Sequence, residues 1–380
     1  MRSLFPVSTV FRIMPVPIMT RSWRLPVILA MFASCLTFAQ EPPPPETPAA
    51  AALRVRRADA EKRALFQSDE PLVLTLESNF GIVTKDRDPE STKQYPGVLK
   101  TTNASGAVDI PVELSARGNL RRNRCDFLPL RVTFSKPETK GTAFEMRGAG
   151  LKLVTHCSGG KDYEQYILRE YLAYRINHII TPNSFRARLA RITYVDSTKG
   201  KPITTRYAIF LEDDDDVARR LGGKVDDRKN VMFSQLHPVA LAHMTIFEYM
   251  IANTDYSIMA QHNVRLVGTD VGLTYPIPYD FDISGLVSAP YGTHDPRLRL
   301  KALTDRLYRG PCIPPERMAV MLNTFRTKKP EVLDAVAAVP DMTDATRYEV
   351  KRFLNEFFDL IDRPGAVKLN LVQTCLKGGN

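Results

Sequence analysis

Several short signatures of common enzyme classes are missing from this chain. No Gly-x-Ser-x-Gly occurs, which removes the strained serine turn of many esterases, and no His-Glu-x-x-His, which removes the usual zinc-protease helix. Ser158-Gly159-Gly160-Lys161 is only the second half of a Walker loop. No two cysteines are spaced Cys-x-x-Cys, and no Cys and His spacing suits a metal, so zinc is set aside. Past the first forty residues no run approaches the about 20 apolar residues that a transmembrane helix needs. Internal repeats are absent, which argues against solenoids and propellers. Charge of one sign is also modest. The chain carries +10, and residues 1–39 hold four Arg and no acid, so their removal leaves +6. That excess is spread along the chain, a poor footprint for nucleic acid or a membrane surface, and neither is expected as a partner.

The first segment reads as an export signal. Arg21 and Arg24 precede the apolar run Leu25 to Phe38, which ends in Thr37-Phe38-Ala39, a shape that signal peptidase accepts. The expectation is a signal peptide at 1–39, an exported protein in the periplasm or outside the cell, and no transmembrane span after cleavage. An uncleaved anchor is the alternative. Gln40 to Ala52 is rich in Pro and Ala and reads as an extended tether. With the charged stretch after it, which includes Arg54, Arg56 and Arg57 as a solvated segment, it makes a linker over 40–68.

The rest changes texture near residue 238. Before it, strands are expected at Leu72–Leu76, Val108–Ala116, Phe127–Phe134, Leu151–Thr155, Arg188–Val195 and Thr204–Leu211, each bounded by turn residues. One helix interrupts them, because Ile167, Leu168, Tyr171, Leu172, Ile176 and Ile179 follow helical spacing over Asp162–Ile179. After it, a helix starts at Pro238 and runs to about Ala252. Two short strands follow, His262–Val267 and one ending at Pro278, then amphipathic helices such as Pro315–Thr327 and Thr343–Ile361. The acidic run Asp213–Asp216 reads as the cap of a short helix over Val217–Leu221, with a calcium site as the rival. The fold class is therefore α+β with two lobes, a strand-rich one over 69–237 and a helical one over 238–380.

Three groups could carry chemistry. Arg117-Gly118-Asn119 ends a strand before a basic turn. Glycine there lets backbone approach a ligand, and amides with Arg suit phosphate, although an ordinary turn uses the same residues. Lys152 interrupts an apolar strand ahead of the helix bearing Glu164 and Glu170. A Lys aimed into a cleft needs a carboxylate partner, whereas one aimed outward needs nothing. Asn253-Thr254-Asp255, His262-Asn263 and Tyr279-Asp280-Phe281-Asp282 put acids and an amide at the mouths of neighbouring short elements. Phosphoryl transfer uses such a kit, one Asp to orient the hydroxyl and hard oxygen ligands for magnesium. His156, beside Cys157, is either a base or an ordinary hydrogen-bonded His, and His243 is expected in packing.

The order of these pieces resembles the CotH kinase family of atypical, secreted protein kinases, over about residues 70–310. The strings Cys125-Asp126-Phe127-Leu128-Pro129-Leu130, Leu151-Lys152-Leu153-Val154-Thr155-His156-Cys157 and Pro278-Tyr279-Asp280-Phe281-Asp282 are also similar to a group of exported bacterial proteins. The resemblance implies an atypical kinase-like fold, ATP and magnesium as cofactors, and a protein Ser or Thr as acceptor. Arg117, Gly118 and Asn119 would form the loop over the phosphates. Lys152 would contact them, positioned by Glu170 or Glu164. Asp255 would be the catalytic Asp, and Asn263 and Asp280 would bind magnesium, with Asp282 as alternative ligand. Two departures stand out. The loop has one Gly where kinase loops have several and carries Arg121, Arg122 and Arg124 instead. The gap from Asp255 to Asn263 is also longer than in ordinary protein kinases.

The rivals are a catalytically silent pseudokinase serving as an envelope scaffold or binding protein, and a cell-surface carbohydrate-acting enzyme using Asp280 and Asp282 as paired carboxylates. Once residues 1–39 are gone, Cys125, Cys157, Cys312 and Cys375 remain, allowing three connectivities. Cys125 and Cys157 flank strands expected to be neighbours. Their pairing is predicted, leaving Cys312 with Cys375.

Overall fold

Alternation of apolar and polar side chains builds most of the first half. In β1 (Leu72–Ser78), Leu74, Leu76 and Ser78 turn inward while Val73 is left in solvent. The same period runs through β2 (Tyr95–Asn103), β3 (Gly106–Ala116) and β4 (Leu130–Phe134), with α2 (Phe80–Val83) and α3 (Leu120–Arg124) as short helical turns between strands. β5 (Gly150–Val154), β6 (Ala187–Asp196) and β7 (Lys201–Leu211) complete a closed barrel in the order β1-β2-β3-β4-β5-β7-β6. Neighbouring strands are antiparallel except β1 and β6, whose parallel pairing closes the ring. Leu76, Leu99, Ile110, Leu114, Val132, Leu153, Ile192, Tyr194 and Phe210 fill its interior. This computed structural model describes residues 47–135, 137–145 and 150–377. The signal segment 1–39 lies outside the described residues.

α4 (Asp162–Ile180) is the helix inserted between β5 and β6. It is buried around most of its circumference, Glu170 and Asn177 included, because it lies between the barrel strands β6 and β7 and helix α7 (Pro315–Ala338). α5 (Asp214–Arg220) follows β7 and is capped by Asp213, which accepts from the Asp215 N–H. A second sheet pairs β8 (Gly223–Asp226), β9 (Val264–Thr269) and β10 (Thr274–Pro278) antiparallel in the order β10-β9-β8. α6 (Pro238–Met250), α7, α8 (Asp344–Ile361) and α9 (Pro364–Val367) contribute to the larger core, where Phe247, Phe325, Phe357 and Phe358 pack with the buried face of α4. Both expected disulfides form, Cys125–Cys157 and Cys312–Cys375. Among the described residues no helix is long and apolar enough to cross a membrane.

The class is α+β, as expected, with one long inserted helix, α4, among strands and short helical turns, and helices dominating afterwards. Four local expectations change. The tether is not extended throughout. Thr47 caps a helix, Pro48 occupies its first turn, and the alanines carry it on as α1 (Pro48–Glu61), where Arg54, Arg56 and Arg57 are exposed. Tyr95–Asn103 and Gly223–Asp226 are strands that their mixed composition concealed. The helix expected to stop at Thr327 runs through Pro330 to Ala338, because Met318, Leu322, Phe325, Val332 and Val336 keep one stripe buried across the proline. His156 is buried against Phe127, with ring centroids 4.6 Å apart and no partner for its Nδ1, and burial with Arg206 nearby lowers its pKa to about 4, which leaves a neutral packed ring rather than a base.

Candidate functional site

Seven of the nine nominated residues line one cleft of about 630 Å³: Arg117, Gly118, Asn119, Asp255, Asn263, Asp280 and Asp282. The turn comes from β3. The Arg117 N–H still donates to Pro129 O at 2.9 Å, then the chain leaves the ladder with Gly118 at φ +81°, a conformation that favours glycine. The backbone N–H groups of Gly118, Asn119 and Leu120 have no protein acceptor among the described residues, and the Arg117 guanidinium makes no ion pair there. α3 behind this turn is pinned by the Cys125–Cys157 disulfide and by Asp126 N–H donating to Cys157 O at 2.8 Å.

Asp255 and Asn263 meet because the chain between them doubles back. Ser257 and His262 exchange backbone hydrogen bonds of 2.9 Å each, and Asn263 adopts φ +53°. Its side-chain amide then donates to Asp255 O at 2.7 Å and to Asp255 Oδ2 at 3.0 Å. His262 Nε2 lies 3.1 Å from Asp255 Oδ1, and that hydrogen bond raises the His262 pKa. The long spacing from Asp to Asn is thus absorbed by a tight turn.

Asp280-Phe281-Asp282 is anchored by its middle residue. Phe281 is fully buried, 4.7 Å from the Tyr174 ring and 5.4 Å from Phe247. Asp280 sits at φ +63° with its N–H donating to Tyr174 Oη at 2.9 Å, so the segment is a turn rather than a strand. Both carboxylates grip Arg121, whose Nη2 is 2.7 Å from Asp280 and whose Nε is 3.0 Å from Asp282. Nη1 is 3.4 Å from Glu170, the carboxylate of α4 that shares a helical face with Ile167 and Tyr174. Arg121 is 5% exposed and Glu170 1%. Burial works against the guanidinium, but Asp282, Glu170, Tyr291 and Asp280 together hold its pKa well above the ordinary value. Three carboxyls around one cation do not share it equally: burial pushes Glu170 and Asp282 up, whereas for Asp280 burial is outweighed by Arg121 and Arg117, and its pKa falls.

Lys152 and Glu170 are not partners. Lys152 Nζ is 2.5 Å from Asp214 and lies over the Tyr279 ring at 4.7 Å, while Glu164 accepts the Tyr207 N–H at 3.1 Å. The cause is register. Lys152 stands opposite Leu211 in the β5–β7 ladder, so α5 begins just beyond it and brings Asp214 within reach. The acidic run does cap α5, as expected, but one of its members also neutralises the strand Lys. Burial lowers the Lys152 pKa although Asp214 opposes it. Neither Lys152 nor Glu170 lines the cleft.

Arg121 and His262 belong to the cleft and were not nominated. The available signal for Arg121 was negative: the acidic pair Asp280 and Asp282 had no basic partner nearby in sequence. Magnesium does not fit these residues as they stand. Asn263, Asp280 and Asp282 reach the cleft, but Arg121 pairs with both carboxylates, so a divalent ion bound there would stand beside a permanent positive charge. The same contacts weaken the carbohydrate-acting reading, because the two acids face one guanidinium instead of each other across a bond.

No protein-family model matches this chain, and no curated protein does. Among solved structures, the crystal structure of CtkA, a proinflammatory kinase of Helicobacter pylori, aligns over 63% of this chain and 92% of that one, at 12% identity and a TM-score of 0.34. A superposition that loose leaves the function to be argued from the chain's own residues.

Proposed function

We propose that the cleft is a kinase-like site that binds the phosphates of ATP and transfers the γ-phosphoryl group to a Ser or Thr hydroxyl of a protein. The observation that carries the reading is the convergence of the Arg117-Gly118-Asn119 turn, Asp255 with Asn263 bonded to it, and Asp280 in one cleft, in the chain order that the CotH kinase resemblance implies. Arg117 and the unpartnered N–H groups of the turn suit phosphate oxygens. Asp255 would orient the acceptor hydroxyl and take its proton as the new P–O bond forms and the bond to the leaving ADP oxygen breaks. The two disulfides support an oxidising compartment outside the cytoplasm.

A second reading is a silent nucleotide-binding scaffold in the envelope. Arg121 favours it, because it pairs with Asp280 and with Asp282, the candidate carboxylate ligand for metal and its alternative. Thermal-shift titration with ATP followed by radiolabelled transfer separates the two. An active kinase should bind ATP, and Asp255→Ala should retain binding while losing transfer. Binding without transfer in the wild type selects the scaffold, and absence of ATP binding defeats both readings.

A further inference from the structure

Each edge of the Arg121 guanidinium faces a carboxylate: Asp280 at 2.7 Å, Asp282 at 3.0 Å and Glu170 at 3.4 Å. Those acids come from two distant parts of the chain, helix α4 and the turn after β10, and the Arg itself comes from α3, between β3 and β4. The disulfide Cys125–Cys157 and a small apolar cluster of Cys125, Cys157, Val287, Ala289 and Tyr291 clamp α3 onto the segment that follows Asp282. The cation therefore has little freedom to withdraw. A magnesium ion binding oxygens at about 2.0–2.1 Å would have to use the oxygens that Arg121 leaves free and sit beside its permanent charge.

The geometry points to Arg121 as the resident cation of this cleft, with nucleotide phosphates bound there without a divalent metal. This rests on the nucleotide-binding reading. Glu170 has a corresponding part as a positioning residue. It holds the third edge of the guanidinium, the task that chain order had given it toward Lys152. Arg117, unpaired among the described residues and lining the same cleft, adds the charge that meets the phosphates directly.

The test is calorimetric titration of the purified protein with ATP, once in excess EDTA and once in excess magnesium chloride, with Mn²⁺ binding followed by electron paramagnetic resonance in the absence of nucleotide. The expected result is the same ATP affinity in both buffers and no Mn²⁺ bound. Arg121→Ala should lose roughly tenfold or more in ATP affinity in EDTA, because Asp280 and Asp282 then face the phosphates as uncompensated negative charge. It should regain affinity with magnesium and bind Mn²⁺, because Asp280 and Asp282 are then free. If that variant does not fold, the two wild-type titrations still decide. Wild-type binding only with magnesium overturns the inference and leaves the nucleotide reading intact. Binding in neither buffer overturns that reading and the inference with it.

Discussion

Glu248 lies on the inner side of α6, 1% exposed, and no hydrogen bond of good geometry reaches either carboxyl oxygen. Burial raises its pKa from 4.5 to about 8. In the unfolded chain the proton leaves at the lower value and in the folded chain at the higher one. Between them the folded state binds more protons, so stability is present at low pH and falls as pH rises through the window, by about 1.4 kcal/mol per pH unit. Glu248→Gln should abolish that slope and raise the melting temperature at pH 8 relative to wild type. Equal melting temperatures from pH 5 to pH 8 in both proteins, on the order of three units of the window, would refute the assignment. Phe281 is a different case of the same scale. Its ring anchors the turn that carries Asp280 and Asp282, and Phe281→Ala should cost roughly 3–5 kcal/mol in urea unfolding. A loss below about 1 kcal/mol would mean that the ring does not hold the turn.

Helix α1 shows how an element can be more than its composition. Arg186 donates from Nη2 to Ala60 O at 2.7 Å and from Nη1 to Glu61 O at 3.0 Å, and Arg63 pairs with Asp216 at 2.7 Å. The end of α1 thus completes the bonding of a buried Arg whose acid partner is Glu212. A chain beginning at residue 68 should be less stable by several kcal/mol, since each charge-assisted bond is worth about 1.5–3 kcal/mol. An unchanged denaturation midpoint for that truncated chain would show that α1 is a passive tether after all. α4 is the opposite kind of element. Its apolar faces are legible from spacing, but the direction in which Glu170 and Glu164 point is settled by the strands and loops that surround it.

At the scale of the molecule, the barrel closes by joining β1 near its start to β6, over a hundred residues later, and the two disulfides close loops of 32 and 63 residues elsewhere. Each bridge should contribute about 2–4 kcal/mol. Replacing Cys312 and Cys375 by Ser should lower the unfolding free energy by that amount while leaving ATP affinity unchanged, because neither cysteine touches the cleft. Replacing Cys125 and Cys157 should lower both, since this pair ties down α3 and with it Arg121. Equal effects of the two double replacements on affinity would detach the disulfide from the site.

Local chemistry determined much of this protein. Helical spacing over Asp162–Ile179, the proline start of α6, the Asp213 cap and the alternation of β1, β3, β6 and β7 need only neighbours in the chain, and they were legible there. So was the set of acids and amides that gathers in the cleft, because chain order and residue type carry that information. Partner choice was not legible. Whether Lys152 meets Glu170 or Asp214 depends on the β5–β7 register, and whether a cation stands between Asp280 and Asp282 depends on how α3 is folded under its disulfide. These are long-range electrostatic contacts between groups brought together by packing, and a charge in sequence does not specify its counter-charge until the backbone has placed both.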